Sequence, residues 1–209
     1  MKKKTMRKLI IVLLAVIAIA IGILIFANRN ESIHKLAKIY EQLSASSSYL
    51  FEMERNDDNK IIMAKKDNDT VIDQYSETEH LATIVKDGIT YFVIHDREEY
   101  YIYGNKITEQ NLLAEEIKEI IQKPYLTGIE KIKGKKYSYE EYEGSTVFII
   151  SNSLNINSEN IKTRFFFDNN GKLAYIKTMI EGNQELLKVN LQYEVQDTIF
   201  EIPSHYAEN

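Results

Sequence analysis

The sequence predicts an α+β architecture: a strongly curved antiparallel β-sheet covered by two helices and preceded by a transmembrane helix. Three observations lead there. Residues 9–27 are an unbroken run of 19 apolar or Gly residues behind a basic cluster. About ten short segments of alternating or apolar character then follow at turn-separated intervals. Two stretches, 30–44 and 108–122, instead carry apolar residues at the three- and four-residue spacing of a helix.

The composition sets the limits. The chain has 209 residues, 44% of them apolar, with 2 Pro and neither Cys nor Trp. That is enough for one well-formed core. The lack of Cys removes disulfides, thiolate metal sites, thiol nucleophiles and an acylated lipoprotein cysteine. A net charge of −5 gives no electrostatic reason to expect a nucleic-acid partner. All five basic residues of the first 27 lie ahead of the apolar run (Lys2, Lys3, Lys4, Arg7, Lys8), and no acid accompanies them.

As a helix the 19 residues from Leu9 to Ala27 extend about 28 Å, close to the hydrocarbon thickness of a bilayer. The basic cluster favours the cytoplasmic side, which divides the chain into a cytoplasmic segment 1–8, an anchor 9–27 and an extracytoplasmic domain 28–209. The expected location is the cell membrane, single-pass, with the lipid bilayer as partner of residues 9–27. A cleaved signal peptide competes, because Ala18-Ile19-Ala20 has the small-x-small form of a cleavage site. Cutting there leaves the apolar stretch Ile21 to Phe26 as a new N-terminus, and the run exceeds the usual signal length, so the uncleaved anchor is favoured. Both readings put the domain outside the membrane.

The first helix, 30–44, rests on Ile33, Leu36, Ala37, Tyr40 and Leu43, with Asn30 as cap and serines from Ser44 ending it. Strands follow over Tyr49–Glu54, Ile61–Ala64, Val71–Tyr75, Leu81–Val85, Ile89–His95 and Tyr100–Tyr103. Asp87-Gly88 between two apolar runs is a strong hairpin signal. The second helix, 108–122, carries Leu112, Leu113, Ile117, Ile120 and Ile121 on one stripe. Further strands are expected over Gly128–Lys133, Lys135–Tyr142, Thr146–Ser151, Lys162–Phe167, Lys172–Ile180 and Leu186–Val195, with a polar link at 152–160. In the last of these, Leu187, Val189, Leu191, Tyr193 and Val195 alternate with polar residues, the pattern of a sheet wetted on one side.

A capping helix, a long meander, a helix after its middle strands and a resumed meander closing on Phe200-Glu201-Ile202-Pro203-Ser204-His205-Tyr206 make a recognisable order. With the hairpin Val85-Lys86-Asp87-Gly88-Ile89-Thr90-Tyr91-Phe92 and the segment Phe165-Phe166-Phe167-Asp168-Asn169-Asn170-Gly171-Lys172-Leu173, it resembles the LolA/LolB-like lipoprotein-carrier superfamily over about residues 31–206. The resemblance implies an unclosed barrel with helices plugging its mouth and a lipid, acyl chain or lipoprotein held between them. An anchored chain cannot shuttle freely, so it implies a fixed binding or sensing domain in the cell envelope.

Strands apolar on both faces support an apolar ligand. Tyr91 and Val93 lie opposite Phe92 and Ile94, and three Phe are consecutive at 165–167. Ordinary packing beneath the helices accounts for the same pattern. The residues expected to line a lipid cavity are Phe51, Met53, Tyr91, Val93, Leu113, Ile117, Phe165, Phe167, Leu187, Val189 and Leu191. The alternative is an interaction or sensor module with a solid core that contacts an envelope protein.

Nothing in the spacing points to an enzyme, a cofactor or a metal. His34, His80, His95 and His205 stand apart in sequence with no i,i+4 pair. Ser204 and His205 are neighbours in an extended segment and so point opposite ways. Asp168 to Gly171 has its Gly too early for a calcium loop and reads as a hairpin turn. The acidic groups Glu98-Glu99, Glu115-Glu116 and Glu140-Glu141-Glu143 read as solvated faces, and the lysines around Gly134 as a soluble turn. No phosphate-cradling Gly loop or nucleophile elbow is present.

Overall fold

The computed structural model describes residues 35–56, 59–103, 112–122, 125–143, 161–180 and 182–209. The chain divides into Met1–Lys35 and a compact unit, Leu36–Asn209, which is the one described below. The anchor 9–27, the start of the second helix at 108–111, the strand at Thr146–Ser151 and the link 152–160 lie outside the described residues. Among those described, no helix is long and apolar enough to cross a membrane.

The elements are α1 (Lys35–Ala45), β1 (Ser48–Asn56), β2 (Asn59–Lys66), β3 (Asp69–Tyr75), β4 (His80–Lys86), β5 (Ile89–Ile94), β6 (Glu99–Tyr103), α2 (Leu112–Ile121), β7 (Tyr125–Ile132), β8 (Lys135–Glu143), β9 (Lys162–Phe167), β10 (Leu173–Ile180), β11 (Asn183–Gln192) and β12 (Ala207–Glu208). Single turns of 3-10 helix occupy His95–Arg97 and Asp197–Phe200. The strands form one curved, unclosed sheet in the order β12-β6-β5-β4-β3-β2-β1-β11-β10-β9-β8-β7. β1 to β6 and β7 to β11 each pair in sequence as antiparallel neighbours, and β11 closes back on β1 with Phe51 opposite Leu191 and Met53 opposite Val189. Asp87 (φ 52°) and Gly88 (φ 77°) both take the left-handed backbone that a two-residue hairpin turn requires.

Three expectations need correction. The sheet is not wholly antiparallel, because β12 pairs in parallel with β6. The last long strand ends at Gln192 rather than Val195: Tyr193 is exposed, and Val195 packs in a different cluster from Leu187, Val189 and Leu191. The strand at 128–133 begins earlier, at Tyr125, since the chain can pair with β8 as soon as it clears the helix.

Alternation gives the sheet two differently covered faces. On one face α1 (through Leu36, Ile39 and Leu43) and α2 (through Leu113, Ala114, Ile117 and Ile120) pack on residues of β1, β2 and β8 to β11. On the other, the chain leaving β11 runs back over the sheet. Val195, Ile199, Phe200, Ile202 and Tyr206 cover Ala64, Val71, Ala82, Ile84 and Val93 before β12 joins the edge. This C-terminal strap covers one of the two apolar sides of β5, that of Tyr91 and Val93. The rest of that face carries charge: Glu52, Glu54, Lys60 and Lys188 on β1, β2 and β11, and Glu130, Glu141, Arg164 and Lys177 on β7 to β10.

Candidate functional site

Nine of the eleven residues expected to line a lipid site come together: Phe51, Met53, Leu113, Ile117, Phe165, Phe167, Leu187, Val189 and Leu191 belong to one cluster beneath the helices. None is more than 9% exposed. Tyr142 joins them, its ring 5.9 Å edge-on from Phe165 and 5.2 Å from the stacked Tyr125. The middle Phe of the consecutive three, Phe166, points the other way, 5.6 Å from Tyr139 and beneath the Lys177 ammonium. Tyr91 and Val93 do not join the nine. Paired with Ile84 and Ala82 across β4, they face the strap.

Both helices are fastened at their first turns by side chains of the sheet. The N–H of Leu36 donates to Glu140 Oε2 at 3.2 Å, and the Tyr142 hydroxyl donates to the same oxygen at 2.9 Å. The first of these bonds satisfies a helix-terminal donor that has no partner within the helix. Burial and the adjacent Glu140 carboxylate push the Tyr142 phenol upward. The buried Tyr49 hydroxyl bonds to the backbone of Leu113 at the start of α2, and its burial raises its pKa to about 12. Further along α1, Gln42 accepts a hydrogen bond from the Tyr193 hydroxyl.

Two clefts flank the strap. One, of about 260 Å³, lies between Lys86, Tyr91 and Tyr100 of the sheet and Phe200, Ile202 and Tyr206 of the strap. The other, of about 350 Å³, lies between Leu50 and residues 192–199. Tyr91 thus borders open space, on the face away from the helices.

The histidines are not all isolated, contrary to the expectation from their spacing. At one end of the strap-covered face Tyr75 stacks on His80 and His80 on His95, each with ring centroids 3.8 Å apart, and Tyr206 meets His95 edge-on. His80 Nε2 lies 2.9 Å from Asp73 Oδ1, and His95 Nδ1 shares a 3.0 Å hydrogen bond with the Tyr206 hydroxyl. Asp73, His80 and His95 each offer one metal-ligating atom within 4.8 Å of the others. Burial, then the neighbouring His80, holds His95 below the ordinary imidazole range. Burial and the Asp73 carboxylate push Tyr75 up to about 12. The signal for this cluster was the Asp87-Gly88 turn. Pairing outward from a two-residue turn sets Leu81 opposite Ile94 and brings His95 beside His80.

No protein-family model and no curated protein matches the chain. Among solved structures it is similar to an uncharacterized conserved protein from Thermus thermophilus, with a TM-score of 0.48 at 7% identity over 85% of this chain and 98% of that one. It is also similar to the Mycobacterium tuberculosis lipoprotein LppX, with a TM-score of 0.44 at 12% identity over 78% of this chain and 97% of that one.

Proposed function

We propose that the chain is a membrane-tethered extracytoplasmic domain that binds a lipid, an acyl chain or another apolar ligand without catalysis. The observation that carries this reading is the layer beneath α1 and α2, where nine large apolar residues of β1, α2, β9 and β11 meet in one cluster. Neither helix belongs to the hydrogen-bonded ladder of the sheet. Parting a helix from the sheet therefore breaks few backbone hydrogen bonds, and an acyl chain inserted there replaces apolar contacts with apolar contacts. The tether rests on the 19-residue apolar run behind five basic residues.

Two experiments test the two halves. The chain has no Cys, so a Ser204→Cys variant carries one thiol at an exposed strap position. A membrane-impermeant maleimide should label it on intact cells; labelling only after lysis contradicts the extracytoplasmic placement. For the ligand, organic extraction of the purified chain followed by lipid mass spectrometry should yield one bound species in a fixed ratio to protein. Recovery of bulk membrane lipid in varying ratio contradicts it.

A second reading, a protein-interaction module with a solid core, is favoured by a different observation. Leu126 and Ile129, on the terminal strand β7, are 66% and 73% exposed. Among the described residues β7 ends the sheet, and an edge strand that carries exposed apolar residues is a template for strand addition by an envelope protein. If Leu126→Lys with Ile129→Lys abolishes the chain's cellular activity while lipid recovery is unchanged, this reading prevails.

A further inference from the structure

We propose that Asp73, His80 and His95 form a binding site for one first-row divalent cation of the zinc type, on the face of the sheet away from the helices. Asp73 sits on β3, His80 opens β4 and His95 follows β5, and all three point to the strap-covered face. Their ligating atoms lie within 4.8 Å of one another. Zinc bonds of about 2.0–2.1 Å in tetrahedral geometry separate ligand atoms by about 3.4 Å. The Asp73–His80 pair, at 2.9 Å, is already close to that spacing. The cation takes the place of the proton that Nε2 of His80 shares with the carboxylate, and His95 swings in by an ångström or so.

The donor set decides the class of ion. Two imidazoles and one carboxylate suit zinc, cobalt, nickel or copper, whereas magnesium and calcium prefer oxygen alone. The Tyr206 hydroxyl on Nδ1 orients His95 as an outer-shell partner orients a metal-bound histidine. The Asp73 and His80 side chains are 12% and 24% exposed, so water has access to complete the coordination. A nearly buried carboxylate at the margin of an apolar cluster is costly unless compensated, and a divalent cation compensates it more fully than a single imidazole hydrogen bond. Binding also has a visible consequence. His80 and His95 lie within 14° of parallel, and convergence of their lone pairs on one ion requires the stack to splay.

The test uses the full chain in detergent with zinc chloride as the probe. Calorimetric titration should give one saturable zinc per chain. Asp73→Asn, His80→Gln and His95→Gln should each weaken it by at least about tenfold, while His205→Gln should bind like the parent. Histidine-ring NMR of the unsubstituted chain supplies a readout that needs no variant to fold: zinc should shift the His80 and His95 resonances and leave His205 in place. The absence of a saturable heat, unchanged His80 and His95 resonances, or equal zinc affinity in parent and Asp73→Asn would each overturn the assignment.

Discussion

The N–H of Leu36 and the Oε2 of Glu140 are joined by a 3.2 Å hydrogen bond across 104 residues of sequence, and this bond seats the first turn of α1 on β8. Glu140 is only 2% exposed, so its carboxylate is committed to that turn and to the Tyr142 hydroxyl. Replacing Glu140 with Ala orphans both donors and should cost about 2–4 kcal/mol, whereas Glu140→Gln keeps an acceptor and should cost less. Urea unfolding of the two variants checks the order; equal midpoints for parent and Glu140→Ala would show that the bond is not seating the helix.

The ring of Tyr139 lies over Gly128 on the neighbouring strand, and a Cβ at Gly128 would approach it to 2.5 Å. Tyr139 cannot swing away cheaply, because the Arg164 guanidinium lies 4.6 Å above its ring and Phe166 packs beside it. Gly128→Ala should therefore cost about 1–3 kcal/mol by overpacking. The added substitution Tyr139→Ser should recover part of that loss in the same urea assay.

Acid should destabilise the charged half of the sheet. Burial alone would raise the Glu130 pKa, but hydrogen bonds from Lys177 and Arg164 outweigh it and hold the group below the usual carboxylate range. Lys60 and Asn190 do the same for Glu52 against its own burial. A depressed folded-state pKa stabilises the fold above the unfolded value, about 4.3 for Glu, and that stability is lost as pH falls through the folded value. These carboxylates should add a fall in melting temperature below about pH 5, on top of the decline that the depressed His95 starts at about pH 6.5. Glu130→Gln should make that acid limb shallower, and an unchanged slope would contradict the assignment.

The strap is held by Phe200, which is 2% exposed. Phe200→Ala should cost about 3–5 kcal/mol and open residues 193–209 to proteolysis before the sheet itself unfolds. Limited proteolysis with mass detection of the C-terminal fragment reads this directly. Cleavage at the same rate in parent and variant would mean that the strap is not anchored there.

Much of this architecture was legible because turn chemistry and alternation agree locally. Asp87-Gly88 fixes the β4–β5 register, and β1 alternates Tyr49, Phe51 and Met53 inward. The strap was not legible. Tyr193 and Val195 continue the alternation of β11 past the point where the chain leaves the sheet, and nothing local distinguishes an apolar residue paired in a strand from one packed across its face. For the same reason the sequence alone groups Tyr91 and Val93 with residues of the opposite face. The histidine cluster was implicit in the hairpin register but invisible to a search by sequence spacing, since its three ligating atoms come from three separate strands or their ends.

The apolar layer beneath α1 and α2 is tested most directly by its capacity to take up a ligand. Residues 28–209, prepared without detergent and verified as folded by circular dichroism, should be weighed under native conditions and titrated with a fluorescent fatty acid. The expected result is an added mass on the protein or saturable uptake at one site per chain, lost when Phe165 is replaced by Asp. A single mass equal to the bare polypeptide, together with no saturable uptake, would contradict the ligand-holding reading.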